Sequence, residues 1–423
     1  MAGIYIHIPF CSQYCTYCNF YSVKQLGLRE RFVAALRQEA FAKRDFFKET
    51  GSSVTTLYIG GGTPSVLSLK QLKAVVDAVV ENFGLELPTK TALPAANIIE
   101  EFTIEVNPND VTPEFAAGLV ALGVNRVSMG VQSFKDEHLR WMNRRHSAEE
   151  GERAVEILRA AGINNISIDL ISGFEMLSDR DWEYNIRKAI SLKPQHISAY
   201  QMSIEPGSAL GAMAKRGEYS GLSDERCEAQ YLTLQQLLAE GGYDQYEISN
   251  FALRSTEGGN GSGGGSYRSK HNSSYWEGVT YLGLGPAAHS YTGEIASVTN
   301  MVGEDAHIAK REWNNPSVKR YCEFYCNAES GAGKATASEN GVGGYEMLTA
   351  TDIFNETIML GLRKVCGFSL DSLAISNVAL LQQITPDINR LVKRGLLIKE
   401  GNNIRIPAHK LFISDSIIRE LFL

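Results

Sequence analysis

Six short β-rich segments alternate with stretches of helical spacing over the first half of this 423-residue chain. The predicted strands are residues 4–9, 55–60, 101–107, 126–132, 165–172 and 196–202, and the predicted helices are 29–48, 69–83, 113–122, 148–160 and 179–191. Such alternation builds right-handed βαβ units around a mostly parallel sheet. Six units are too few to close an eight-stranded barrel. We therefore predict an α/β fold whose partial, open (β/α)6 barrel carries its site at the C-terminal ends of the strands.

Three of the predicted helices start with residues that are favoured at helix N-termini. Thr112 precedes a proline at the first helical position. Ser147 and Ser178 are each followed, three residues later, by an acidic residue, which is the spacing of a capping box. A capping side chain accepts a hydrogen bond from a backbone N–H that the helix leaves unpaired. These three residues should therefore be the N-caps of their helices.

Charge and composition exclude several classes of protein. Lys and Arg number 41 against 48 Asp and Glu, a formal net charge of −7, which argues against a nucleic-acid partner. The sequence has no apolar run that approaches the roughly 18 residues of a transmembrane segment. Its start lacks the pattern of a targeting peptide. We therefore expect a cytoplasmic protein or, alternatively, one of the mitochondrial or plastid matrix after removal of a presequence.

Two segments rich in small residues interrupt the chain after the predicted barrel. Residues 255–269 contain six glycines and are expected to form a flexible loop. Residues 328–344 are similar in composition and are expected to be a flexible linker. We therefore predict a core barrel over 1–250, an extension over 251–327, this linker, and a mainly helical C-terminal domain over 345–423.

The C-terminal domain ends with a predicted helix over 384–397 and a short β segment over 398–407, a winged-helix-like pattern. That pattern also occurs in DNA-binding domains. Residues 341–423, however, hold nine Lys or Arg against eight Asp or Glu, too little positive charge to neutralise phosphates. We favour a packing or lid domain and expect no nucleic acid as a partner.

Three of the seven cysteines, Cys11, Cys15 and Cys18, lie within eight residues directly after the first predicted strand. An odd number in so long a chain does not suggest a disulfide framework. Three thiolates on one loop can hold three irons of a [4Fe–4S] cube, whereas structural zinc takes four closed ligands. His7 is a poor fourth ligand because its strand directs it to one fixed face. We predict a [4Fe–4S] cluster with one iron open to a substrate or cofactor, and keep zinc as the alternative.

The segment from Tyr5 to Cys11, Tyr-Ile-His-Ile-Pro-Phe-Cys, and the C-x3-C-x2-C loop resemble the radical S-adenosylmethionine (SAM) superfamily. Together with later motifs they resemble, within it, the oxygen-independent coproporphyrinogen III dehydrogenase family. The similarity runs from about Tyr5 into the C-terminal domain. It implies a radical SAM barrel, a [4Fe–4S] cluster on the three clustered cysteines, SAM as a cofactor, and an electron donor to the cluster.

The resemblance also implies a set of SAM contacts at successive strand ends. The Gly-Gly-Gly-Thr run that ends the second strand resembles the segment that contacts the methionine end of SAM, and Tyr17 holds the aromatic position near adenine. Any one of these polar residues alone would be interpreted as an ordinary strand-end side chain, but six at successive strand ends are hard to attribute to chance. The implied contacts are Tyr5, Tyr17, Gly61, Gly62, Thr63, Glu105, Gln132, Arg144, Asp169 and, on looser local matches, Met202 and Ala288.

Two departures separate the sequence from the dehydrogenase branch of that family. Phe20 stands where the branch has a fourth cysteine, and only four residues precede Tyr5 in place of a long N-terminal extension. Both features match the heme-chaperone branch, whose His-Asn-x-x-Tyr-Trp motif resembles residues 271–276. The resemblance therefore implies a protein that binds heme and passes it to acceptor hemoproteins, such as respiratory enzymes at a membrane. The alternative is a radical SAM coproporphyrinogen III oxidase of porphyrin biosynthesis.

His271 is the heme ligand that the resemblance implies. Neutral imidazole is a good axial ligand for heme iron, and the neighbouring Tyr275 and Trp276 would cover the macrocycle. Taken without the resemblance, the same residues favour a capped turn at His271 with the two aromatic rings in the core. His289 is the next candidate for the ligand.

Overall fold

One 12-stranded sheet organises the chain, in a computed structural model that describes residues 2–88, 98–254, 266–294, 307–327 and 342–423. Its strands are β1 (Ala2–Ile8), β2 (Val54–Gly61), β3 (Glu101–Val106), β4 (Arg126–Gln132), β5 (Asn165–Ser172), β6 (His196–Gln201), β7 (Tyr243–Gln245), β8 (Asn250–Leu253), β9 (Tyr281–Leu284), β10 (His289–Glu294), β11 (His307–Asn314) and β12 (Gly343–Thr349). They lie side by side in the order β12-β11-β10-β9-β1-β2-β3-β4-β5-β6-β8-β7.

The centre of the sheet is the predicted partial barrel. Strands β1 to β6 pair in chain order and all run parallel, and β9 pairs parallel with β1 on the other side. Antiparallel strands extend both edges, with β8 on β6 and the series β10, β11 and β12 beyond β9. The six predicted strands are confirmed to within two residues, and β4 and β5 match at both ends.

Helices connect the parallel strands. In chain order the helices are α1 (Arg29–Ala42), α2 (Phe46–Thr50), α3 (Leu69–Phe83), α4 (Pro113–Ala121), α5 (Asp136–Trp141), α6 (Ala148–Ala160), α7 (Asp179–Ser191), α8 (Ala209–Lys215), α9 (Asp224–Glu240), α10 (Lys270–Trp276), α11 (Val318–Asn327), α12 (Ala350–Arg363), α13 (Leu370–Ser376), α14 (Val378–Lys393) and α15 (Ser414–Arg419). The prediction of a single helix over 29–48 is wrong, because α1 ends at Ala42 and a second helix, α2, begins at Phe46. The break lets Phe47 of α2 become buried edge-to-face against Phe83, with ring centroids 5.6 Å apart.

The three predicted N-caps are confirmed. Thr112 accepts a hydrogen bond from the backbone N–H of the third helical residue, and Ser147 and Ser178 do the same for their helices. Ser147 also completes its capping box through Glu150, whose carboxylate lies 2.7 Å from the backbone nitrogen of Ser147. Asp181 instead accepts from the Ser178 hydroxyl and pairs with Lys135, so the second predicted box is only half formed.

The barrel strands carry different residues on their two faces. In β1, Ile4, Ile6 and Ile8 are fully buried and pack with the surrounding helices in the main hydrophobic core. Tyr5 and His7 alternate with them and face the other way, since successive strand residues point to opposite faces. The interior of the barrel is therefore lined with polar and aromatic groups.

The C-terminal residues form a second hydrophobic core around α12 to α15. A three-stranded sheet in the order β13-β15-β14 accompanies them, made of β13 (Phe368–Ser369), β14 (Ile398–Glu400) and β15 (Asn403–Arg405). The helix α14 followed by the β14–β15 hairpin has the predicted helix-and-wing form, although the helix starts at Val378, six residues earlier than predicted. Most of the glycine-rich loop (255–265) and of the linker (328–341) lies outside the described residues, and the domain boundaries stay predictions.

Candidate functional site

The three clustered cysteines lie on the loop that follows β1, at the C-terminal end of the first barrel strand. Backbone hydrogen bonds hold this loop at both ends: Val23 N donates to Pro9 O (2.7 Å), and Cys11 N donates to Val23 O (3.0 Å). A further bond joins Thr16 N to Met142 O (3.1 Å), on the loop after α5. Backbone hydrogen bonds therefore fix the path of the cysteine loop at its ends and at Thr16.

Polar donors lie beside two of the three sulfur atoms. Arg144 Nη1 donates to Cys15 Sγ over 3.3 Å, and the hydroxyl of Thr63 is 3.4 Å from Cys11 Sγ. Burial raises the pKa of Cys18 to about 11. A buried thiol of this kind gives up its proton when a metal takes the sulfur.

The number of thiolates on the loop favours an iron–sulfur cluster over zinc. Cys11, Cys15 and Cys18 are one short of the four closed ligands of a structural zinc site. Three thiolates on one loop can hold three irons of a [4Fe–4S] cube.

His7 is not available as a fourth metal ligand. Its Nε2 lies 2.9 Å from the carbonyl oxygen of Tyr21, and its Nδ1 lies 3.2 Å from the hydroxyl of Tyr5. Both ring nitrogens are therefore occupied, and burial lowers the pKa of the imidazole. The expectation that this strand residue does not complete the cysteine site agrees with these bonds.

The glycine run at the end of β2 brings the backbone close to the cysteine loop. Gly61 has a φ of +114°, and its N–H donates to Glu105 Oε2 over 3.1 Å. A side chain at Gly62 would place its Cβ 2.7 Å from the carbonyl oxygen of Phe10 and 3.1 Å from Cys11 Sγ. Only glycine fits here, because any larger residue would push the cysteine loop away.

Two half-buried carboxylates follow on β3 and β5, the strands on either side of β4. Glu105 of β3 accepts a hydrogen bond from the Tyr58 hydroxyl (2.9 Å), and Asp169 of β5 accepts one from Ser128 (3.2 Å). Burial raises the pKa of Glu105 to about 7, with the charge of Asp169 adding to the effect, and burial raises the pKa of Asp169 to about 6. Both pKa values fall near the physiological range, so a cationic ligand group would favour the ionised forms.

Gln132 and Arg144 meet at the end of β4. Gln132 adopts a left-handed backbone conformation with φ +69°, which turns the chain sharply after the strand. Arg144 Nη2 donates to Gly130 O (2.6 Å) and to Asn107 Oδ1 (2.7 Å), while its buried Nε has no partner among the described residues. The guanidinium thereby joins the ends of β3 and β4 to the cysteine loop.

The remaining predicted SAM contacts lie on the same side of the barrel. Tyr17 is on the cysteine loop itself, and burial raises the pKa of its hydroxyl. Met202 is buried directly after β6, and its N–H donates to Ser172 O (2.8 Å). Ala288 is buried between β9 and β10. All of them follow the C-terminal end of a strand, but no described contact separates a ligand role from a packing role for these three.

His271 lies in a different environment from the one predicted for a heme ligand. It is buried in α10, with Nδ1 2.8 Å from the Thr56 hydroxyl and Nε2 2.9 Å from the Tyr275 hydroxyl. Its ring stacks on Tyr58 with centroids 5.0 Å apart, and burial lowers its pKa to about 3. Its backbone N–H donates to the buried carboxylate of Glu101 (3.0 Å). Ligation by His271 stays a prediction that requires one of the two hydrogen bonds of its ring nitrogens to open.

A cavity of about 600 Å³ lies between the cysteine loop, the barrel edge at β9–β11 and helix α12. Tyr275 and Trp276 line it, whereas His271 does not. Phe20, at the position where the dehydrogenase branch has its fourth cysteine, also lines it and is 76% exposed. Its other lining residues are Tyr5, His7, Tyr21, Gly278, Val279, Tyr281, Ala287, His289, Tyr291, Arg311, Ile353, Glu356, Thr357, Met359 and Leu360.

Several residues of the interior were missed by sequence reasoning. Arg126 is a buried guanidinium whose charge lowers the pKa of both Glu105 and Asp169, and Tyr58 fixes Glu105 directly. Asn107 orients Arg144. A signal was available for Arg126, which lies six positions before the predicted contact Gln132 on β4 and therefore shares its face of the strand.

Fold and cysteine loop together define a radical SAM protein. A model of the Radical SAM superfamily matches residues 5–189, and a model of the HemN C-terminal domain matches residues 348–410. Membership of this superfamily implies a [4Fe–4S] cluster and SAM as cofactors. Heme chaperone HemW of Mycobacterium tuberculosis is 30% identical over 99% of this chain and 94% of its own length. The chain belongs to the HemW family of heme chaperones.

Other comparisons are consistent with that family. Heme chaperone HemW of Bacillus subtilis is 31% identical over 94% of this chain and 93% of its own length. Radical S-adenosyl methionine domain-containing protein 1, mitochondrial, of Danio rerio is 27% identical over 100% of this chain and 87% of its own. The solved structure of coproporphyrinogen III oxidase (HemN) from Escherichia coli has a TM-score of 0.72 and 21% identity, covering 99% of this chain and 89% of that one, which shows a shared fold. No helix in the described part of the chain is long and apolar enough to cross a bilayer.

Proposed function

We propose that this protein binds heme and transfers it to acceptor hemoproteins. The observation that carries the proposal is the aromatic cavity of about 600 Å³ next to the cysteine loop, a volume within the range of small-molecule sites. A planar, mostly apolar macrocycle is suited to walls of tyrosine, tryptophan and aliphatic side chains. The full-length relatives named heme chaperones support the same ligand.

Cys11, Cys15 and Cys18 are the proposed ligands of a [4Fe–4S] cluster. The glycine run, Glu105, Gln132, Arg144 and Asp169 are the proposed contacts of SAM, which such a cluster can supply with one electron when it is reduced. These residues orient the cofactors, and none of them is exposed, so they limit the access of water to the proposed site. We also propose that a reductant supplies electrons to the cluster and that the acceptor hemoproteins include respiratory enzymes at a membrane. The proposed location is cytoplasmic or mitochondrial.

Heme transfer is the direct test of the proposed function. The reconstituted protein should bind hemin with a Soret band distinct from that of free hemin, and should convert an added apo-hemoprotein such as apomyoglobin to its holo form. In an anaerobic assay with SAM, a reductant and coproporphyrinogen III, no protoporphyrinogen IX should form. Turnover of coproporphyrinogen III would show that the alternative enzyme function is correct. Absence of hemin binding would show that the protein has another function than the proposed one.

Asp169→Ala should weaken SAM binding by roughly ten-fold or more. Hydrogen bonds to a charged group contribute about 1.5–3 kcal/mol, and Asp169 is a buried acceptor in the proposed SAM site. Anaerobic calorimetry with SAM measures the effect, while iron content and the visible spectrum should show an intact cluster. Asp179→Ala, an exposed acidic residue of α7, is the matched control. Unchanged SAM affinity in the Asp169 variant removes that residue from the site.

A further inference from the structure

His289, the first residue of β10, lines the cavity with an imidazole whose nitrogens accept or donate no hydrogen bond among the described residues. Its side chain is exposed and lines the cavity, and its ring stacks on Trp313 with centroids 6.0 Å apart. Neither ring nitrogen has a hydrogen-bond partner among the described residues. Desolvation and the nearby charge of Arg311 lower the pKa of this histidine, so the ring is neutral at physiological pH. A neutral imidazole with a free nitrogen is a suitable heme-iron ligand.

The two other histidines near the cavity have no free nitrogen. His7 uses one for Tyr5 and the other for Tyr21, and His271 uses one for Thr56 and the other for Tyr275. An iron on either ring would break a buried hydrogen bond and leave its partner unsatisfied, which is unfavourable. Ligation of heme iron by His289 would break no hydrogen bond to a described residue.

The walls around His289 suit a large planar ligand. Tyr275 and Trp276 come from α10, and Ile353, Met359 and Leu360 come from α12 on the C-terminal side. The indole N–H of Trp276 is buried and has no acceptor among the described residues. The charged groups of the wall are already paired, since Arg311 binds both Glu346 and Glu356.

Helix α10, which carries the His-Asn-x-x-Tyr-Trp motif, holds the aromatic wall of the cavity in place. Glu101 accepts hydrogen bonds from the backbone N–H groups of Lys270 (2.9 Å) and His271 (3.0 Å), at the start of the helix. His271 then holds the hydroxyl of Tyr275, a wall residue. His271 is thus a positioning residue that fixes the aromatic wall from behind.

We infer that the cavity is the heme site and that His289, not His271, is the axial ligand of the heme iron. This inference rests on the proposed function and deepens it, because it names the atoms that bind the ligand. Tyr275 and Trp276 contact the macrocycle, and His271 acts through Tyr275.

Hemin titrations followed by difference spectra test the assignment. His289→Ala should bind hemin at least ten-fold more weakly and lose the band shift of an imidazole-ligated heme, and added imidazole should restore that shift. Metal-free protoporphyrin IX should bind the wild type and His289→Ala equally, because it has no iron to ligate. His409→Ala, which removes an exposed histidine outside the cavity, is the matched control and should behave as the wild type.

The variant His271→Asn tests whether His271 is the axial ligand instead. It should retain the imidazole-ligated spectrum, with circular dichroism and cluster content verifying that the variant is folded. A wild type that does not bind hemin overturns the proposed function and this site with it. A wild type that binds hemin while His289→Ala keeps its spectrum and affinity overturns the site alone, as does loss of the ligated spectrum in a folded His271→Asn protein.

Discussion

Replacing Cys11, Cys15 or Cys18 with Ala should each abolish the [4Fe–4S] absorption and reduce bound iron to background. Each sulfur holds one iron of the cube in the proposed site, and Phe20 stands at the position where a further cysteine of the loop could have replaced a lost ligand. Anaerobic reconstitution, followed by iron and sulfide analysis and electron paramagnetic resonance of the reduced protein, measures the loss.

Four other cysteines supply the matched controls for this experiment. Cys227 and Cys322 are buried in helices, and Cys326 and Cys366 are exposed. Cys322 and Cys326 share one face of α11, where the sulfur of Cys326 lies 3.5 Å from the carbonyl oxygen of Arg31. Their Ala variants should retain full cluster iron. Loss of iron in Cys322→Ala would show that the cluster has a different ligand set.

The barrel was predictable from the sequence because its signals are local. β5 alternates apolar and polar residues over most of its length, and α6 is preceded by the N-cap Ser147 with a glutamate three residues on. Caps and periodicity depend only on neighbours in the chain, so they can be recognised without the fold. The break between α1 and α2 was not predictable, because it depends on the distant partner Phe83.

The candidate site was predictable only in part for the same reason. The cysteine spacing and the glycine run are continuous in sequence, and the structure brings them together. The environment of His271 depends on Thr56, which is 215 residues away, and no local pattern contains that pair. The cavity likewise combines residues from the cysteine loop, α10, β9–β11 and α12. The sequence named His289 only as the second candidate, and its unpaired ring nitrogens became visible only when they could be compared with those of the other histidines.

Glu39→Ala should lower the free energy of unfolding by several kcal/mol, because each buried donor left without its acceptor costs about 1–3 kcal/mol. The carboxylate of Glu39 is fully buried and accepts from Gly285 N (2.7 Å), Asn314 Nδ2 (2.7 Å) and the Tyr321 hydroxyl (2.6 Å). It therefore joins α1 to the ends of β9 and β11 and to α11. Denaturant unfolding measures the loss, and Glu156→Ala, an exposed residue of α6, should stay within about 0.5 kcal/mol of the wild type.

The same substitution should weaken hemin binding, because Glu39 holds the loop that leads to the cavity. Gly285 donates to Glu39 and lies just before Ala287 and His289, which both line the cavity. Glu39→Gln keeps an acceptor of nearly the same shape, so it should lose roughly 1–3 kcal/mol of stability and less hemin affinity than the Ala variant. Hydrogen exchange should show faster opening of residues 283–290 in both variants. A Glu39→Ala protein with native stability and native exchange in that loop would show that the buried carboxylate does not hold the cavity in place.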